Sequence, residues 1–206
     1  MFRSLIDSQF RKPSIPLAFL FFLLPTVLSL AFFSFVGLSI DFAKVLLSTG
    51  LGLVAWLLSS AVIYLMLLLF KGSDSKASFA GAMSAFSVNF LIIAVVGALV
   101  IASVFAAIPG FFEKVASLQG QGASLDEVAA ALQPILDSSS QAMLPLSMFL
   151  AVVLFAGIFA GIYVIYRIGR LAKETSSFSN AMFAVVSIGL MMFADFVLRL
   201  VVQMIF

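Results

Sequence analysis

Charged residues in this chain are so widely spaced that the intervals between them decide the architecture. From Lys12 to Asp41 run 28 residues without a formal charge, from Lys44 to Lys71 another 26, from Lys76 to Glu113 36, and from Asp137 to Arg167 29. A hydrocarbon core about 30 Å thick is crossed by about 20 apolar residues in a helix, so every interval is long enough to span a bilayer. Open strands would leave backbone groups unpaired in lipid, which leaves helices. The pattern predicts an all-α polytopic membrane bundle of five transmembrane helices, at about 16–40, 45–70, 83–108, 144–166 and 179–206, forming a single integral membrane domain over 1–206. Composition agrees: 64% of the 206 residues are hydrophobic and 10% charged, where soluble domains carry about a quarter charged residues.

The first apolar stretch, Pro16–Ile40, is far longer than a signal-peptide core, and its small-x-small match Ser29-Leu30-Ala31 lies inside it. It reads as a retained span, with Pro25 kinking the helix where neighbours can satisfy the freed carbonyl. Orientation follows from the basic residues. Eight of eleven (Arg3, Arg11, Lys12, Lys71, Lys76, Arg167, Arg170 and Lys173) fall on one side of a five-span arrangement, and six of nine acids fall on the other. The N-terminus is expected in the cytoplasm and the C-terminus outside, in the cell membrane if the source is prokaryotic.

Two segments lie outside the spans. Residues 1–12 place Phe2, Leu5, Ile6 and Phe10 on one helical face, with Arg3, Asp7, Arg11 and Lys12 bordering or occupying the other. This predicts an interfacial amphipathic helix lying on anionic lipid. The outer loop, 109–142, is acidic on balance. Its Ser124-Leu125-Asp126-Glu127 is a capping box, followed by apolar residues at helical spacing, so a short helix is expected over Leu125–Leu136 with Pro134 ending it early. Gly120-Gln121-Gly122 reads as a break before it. The segment is expected to act as a structural lid, with partner binding or gating as the other possibility.

Few groups at depth are polar. Asp195 and Arg199, four apart on the fifth span, can pair along one face near its outer end, and intramembrane charge is a functional candidate by default. Asn89, with Ser84 and Ser87, makes a second polar cluster suited to interhelical hydrogen bonds. Gly157 and Gly161 form a GxxxG strip for close helix packing. Lys71, Lys76, Arg167, Arg170 and Lys173 are expected together as an exposed basic cytoplasmic surface.

The chain has neither Cys nor His, which removes disulfides, thiolate nucleophiles, imidazole dyads and imidazole metal ligands. No P-loop, GxGxxG, GxSxG or HExxH occurs. No catalytic residue, metal or cofactor is assigned. The 24 phenylalanines suit lipid and packing, and no basic groove for nucleic acid accompanies them.

Three local features carry a family resemblance. The short loop Phe70-Lys71-Gly72-Ser73-Asp74-Ser75-Lys76-Ala77-Ser78-Phe79 joins the second and third spans and leads into a small-residue helix start. Ala85-Phe86-Ser87-Val88-Asn89 is an aromatic–small stretch early in span three, and Tyr166-Arg167-Ile168-Gly169-Arg170-Leu171 is a basic turn. In these, and in its order of spans, the chain resembles the Yip1 domain family of five-span membrane proteins. Asn89 stands about where many members carry proline, and the Asp-Leu-Tyr-Gly-Pro signature of eukaryotic members has no counterpart. The resemblance implies a compact prokaryotic or archaeal member rather than the GTPase-linked trafficking role of eukaryotic ones.

The expected function is a non-enzymatic multi-pass protein organising lipid or membrane partners, a homo-oligomer among them. The alternative is a small transporter or channel subunit using Asp195, Arg199 and Asn89. Spans two–three and four–five form two hairpins of like topology, a weak parallel repeat of the kind transporters use.

Overall fold

The computed structural model describes residues 2–71, 77–123, 125–173 and 176–205, with residues 71, 125 and 200–205 described by their backbone. Among these the regular structure is all helix: α1 (Phe2–Arg11), α2 (Ile15–Phe35), α3 (Phe42–Lys71), α4 (Phe79–Phe86), α5 (Val88–Ala107), α6 (Phe111–Gly120), α7 (Leu125–Ser138), α8 (Ser140–Ala172) and α9 (Ser177–Ile205). Five helical stretches are long and apolar enough to cross a membrane: α2, α3, α4 with α5, α8 and α9.

Local chemistry explains most boundaries. Ser14 caps α2, its hydroxyl accepting from the Leu17 amide, and Pro16 fits the first turn, where no intrahelical amide is needed. The helix runs through Pro25 and stops at Phe35, short of the expected residue 40. Gly37 explains the stop: its φ of +74° lets Leu38 N–H turn back to Phe33 O at 2.9 Å, closing the carbonyl end. The third span is interrupted at Ser87. There the hydroxyl donates to Ser84 O at 2.6 Å and Phe90 N–H turns to Ser87 O, so α4 and α5 are separate segments.

The spans form a ring in the order α2, α5, α8, α9, α3, with α3 returning lightly to α2. The short α4 sits inside one end of it, against α1, α2, α3 and α8. Gly81 through Ala85 are all buried there, because a helix of small residues is the one that fits inside a ring of larger ones. Around this plug lies the main core, with Ile6, Ile63, Leu67, Ala82, Val88, Val164, Ile168 and Phe183 fully buried. A second aromatic cluster, Phe22, Trp56 and Phe90, fills the α2–α3–α5 junction, where Phe22 and Trp56 stack at 5.3 Å. Toward the opposite end the packing opens. A cavity of about 490 Å³ separates Pro25–Phe35 from Ile93–Phe105, and another of about 470 Å³ lies between Ser48–Ala55 and Asp195–Arg199.

The amphipathic α1 packs the centre of its apolar face into the bundle. Ile6 and Phe10 are buried in the main core, and Gln9 receives a 2.5 Å hydrogen bond from the buried Ser84 hydroxyl. Gly81 makes this docking possible, since a Cβ there would stand 2.7 Å from Phe10 O. The closed end of the bundle therefore takes the face expected on the membrane surface.

At the other end, the segment between the third and fourth apolar stretches holds two helices. Besides α7, the unexpected α6 starts at Gly110 (φ +76°) and lays Phe112 against Phe32 at 4.9 Å. Ser39 N–H donates to Gln119 Oε1 at 3.0 Å, tying α6 to the turn after α2. The Gly120–Gly122 break is a turn with Gly122 at φ +71°. Pro134 does not end α7, which continues to Ser138; the capping box falls on Ser124, outside the described residues.

Candidate functional site

On α1, Arg3, Asp7 and Arg11 recur every four residues and so form one stripe. With the adjoining Ile6–Phe10 face of α1 held in the core, this stripe confronts the last turns of α8, where Arg167 and Arg170 stand three apart. Arg167 Nε donates to Asp7 Oδ1 at 2.8 Å and its Nη2 to Asp7 Oδ2 at 2.6 Å. This is the two-pronged geometry that the planar guanidinium provides. The hydrogen bonds from Arg167 hold the Asp7 carboxyl below its ordinary range; partial burial opposes them, and the charges of Arg167, Arg3 and Arg11 reinforce them.

Around the pair lies a recess of about 890 Å³, walled by Arg3, Asp7, Arg11, Arg167, Arg170 and Lys173 with Pro13 and Ser78 closing it. Its described lining holds five cations and one carboxylate, and that carboxylate is engaged by Arg167. Arg3, Arg11 and Arg170 are exposed and form no ion pair with any described carboxylate.

The expected basic surface is thus corrected in one member and enlarged in others. Arg167 is not on the surface: its side chain is 8% exposed, because α1 folds over it and supplies Asp7. Arg170 and Lys173 are exposed. Lys76 lies outside the described residues, and Lys71 closes α3. Arg3 and Arg11 join the site through the docking of α1, which aims at α8 a spacing with Asp7 that is visible in the sequence.

The polar residues of the spans lie elsewhere. Arg199 Nε donates to Asp195 Oδ2 at 2.7 Å, with both side chains substantially exposed. Asp195 and Asn89 line one mostly apolar groove of about 730 Å³ between α5, α8 and α9. Gly157 and Gly161 face α5. A Cβ at Gly157 would come 2.8 Å from Val96 Cγ2, and one at Gly161 3.3 Å from Asn89 Oδ1. Among the described residues no group of three metal-ligating acids assembles.

The fold and the recess define a class, a helical protein with five stretches fit to cross a membrane and a cation-walled recess at one end. Comparison with protein-family models, with curated proteins and with solved structures finds no match to this chain.

Proposed function

We propose that the chain is a Yip1-like multi-pass integral membrane protein without catalytic activity, which organises lipid or membrane partners at its basic end. In this reading α1, the start of α4 and the α8–α9 turn face the cytoplasm, and α6 and α7 lie outside, as the basic residues favour. The observation that carries it is the distribution of polarity among the cavities. Of five cavities among the described residues, the four beside the spans are lined mainly by apolar side chains, and the recess between α1 and α8 has a mainly polar wall. A scaffold needs such an end surface, whereas a conduit needs polar groups along the bundle.

The test is affinity capture of the full chain from native membranes in mild detergent, beside a variant with Arg3, Arg11 and Arg170 changed to Gln. A reproducible membrane partner or co-purifying lipid lost in the variant supports the reading. Equal recovery with both overturns it. A second reading, a small transporter or channel subunit, draws on Asn89 and Asp195 lining the same groove. Solute or ion flux in proteoliposomes that falls with Asp195→Asn would favour it over the scaffold.

A further inference from the structure

We infer that the recess between α1 and the end of α8 is a binding site for a phosphate-bearing headgroup. The inference deepens the lipid half of the proposed function and rests on it only for the source of the phosphate. Three independent observations converge. The first is charge: the described wall carries five cations, and its single carboxylate already serves Arg167. Arg3, Arg11 and Arg170 therefore crowd one recess without an ion pair to any described carboxylate, and the one negative charge of Asp7, already bonded to Arg167, offsets their repulsion only in part. A phosphate takes paired hydrogen bonds from guanidinium groups in the way a carboxylate does, so it fits this lining chemically.

The second is support. The α1 stripe is held by Ile6 and Phe10 in the core, by the Ser84–Gln9 hydrogen bond and by the approach of Phe10 O to Gly81. Asp7 clamps Arg167 and so ties α1 to α8 across the floor of the recess. The arginine backbones are thus presented from packed helices, which lowers the ordering cost of binding.

The third is size and place. About 890 Å³ falls within the range of about 300–1,000 Å³ that accommodates whole small molecules, so a substituted phosphate fills it better than the bare ion. Basic pockets at the cytoplasmic ends of spans are where anionic headgroups are bound. Apolar surface for acyl chains is at hand. Phe2, the neighbour of Arg3, lines an apolar groove of about 400 Å³ between α5 and α8.

The purified full chain in mixed micelles is titrated with phosphatidylglycerol, with phosphatidylcholine and with soluble glycerol phosphate, and bound ligand is counted by native mass spectrometry. Phosphatidylglycerol is expected to bind one per chain more tightly than phosphatidylcholine. Affinity should fall roughly fivefold for Arg11→Gln or Arg170→Gln alone, and about a hundredfold with Arg3→Gln added to both. Lys12→Gln, on the same end but outside the recess, should change it less than either single variant. Tight binding of glycerol phosphate that the triple variant loses also supports the site. It assigns a soluble ligand instead, and removes the lipid half of the proposed function. No preference for phosphatidylglycerol or glycerol phosphate, or equal losses at Lys12 and Arg170, overturns the proposal. The single variants keep the test decisive if the triple one does not fold.

Discussion

Asp7 and Arg167, 160 positions apart in sequence, share two hydrogen bonds of 2.8 and 2.6 Å. The pair joins the first helix to the end of the fourth span, so a segment preceding all the spans becomes part of the bundle. It also sets the polarity of the recess, since the one carboxylate of its described lining is spent on the most buried of its cations.

Asp7→Ala should destabilise the protein by about 2–3 kcal/mol, because it strands a nearly buried guanidinium. Breaking a fully buried pair typically costs about 3–5 kcal/mol, and Asp7 retains partial solvent access. Adding Arg167→Leu should recover part of the loss. Thermal unfolding of the four proteins of this cycle in one detergent checks it; strictly additive losses would show the pair to be uncoupled.

The same pair predicts an acid limb. The folded-state pKa of Asp7 lies below its ordinary value, so the carboxylate contributes stability above the unfolded pKa of about 3.9 and loses it as pH falls through the lower folded value. Asp41, exposed, is also held below its ordinary value, chiefly by the Lys44 amide, and adds an acid dependence of its own. The informative quantity is therefore the difference between wild type and Asp7→Asn. The stability gap should be constant from pH 7 to about pH 5 and close below about pH 4. A gap independent of pH down to acid unfolding would contradict it.

Glycines separate into two kinds. At Gly169 a Cβ would stand 2.5 Å from Cδ1 of Phe183, a ring that is fully buried, whereas at Gly50 it would meet nothing within 4 Å. Gly169→Ala should cost about 1–3 kcal/mol by overpacking. Gly50→Ala should be neutral or stabilising by up to about 1 kcal/mol, through helix propensity. Unfolding midpoints in detergent decide between them, and Phe183→Leu should relieve the Gly169 variant.

How much of this was legible beforehand depends on the range of the interaction. Uncharged intervals located four of the apolar stretches and the apolar run around Asp195 and Arg199 the fifth, because each depends on its own residues alone. Ends set by a single backbone conformation, such as Gly37 after α2, were displaced by a few residues. The α6 helix was missed because its anchor is Phe112 on Phe32, a contact between segments. At the recess, the Arg3–Asp7–Arg11 stripe was present in the sequence, yet its direction depends on Gly81 admitting Phe10. Arg167 read as an exposed turn residue for the same reason. A pairing across 160 residues leaves no local periodicity to read.

Trp56, the only tryptophan, is a built-in probe of the interior. It lies 2% exposed near the middle of α3, stacked on Phe22, and its indole N–H has no partner among the described residues. Its emission should be blue-shifted and resist iodide in water. Phe22→Ala removes the stacked ring beside exposed apolar residues such as Leu20 and Phe19 on a helix apolar enough to cross a membrane. The gap is then open to acyl chains more readily than to water, since a buried water needs two or more polar partners and the Trp56 indole N–H offers one. Quenching by brominated lipid should rise in Phe22→Ala while iodide quenching stays low. The stability loss should reflect lost packing, on the order of 2–4 kcal/mol, because side chains leaving a core for lipid pay no hydrophobic penalty. Strong iodide quenching in the variant would instead mean that water reaches the α2–α3–α5 junction, and that this end of the bundle is not sealed from the aqueous phase.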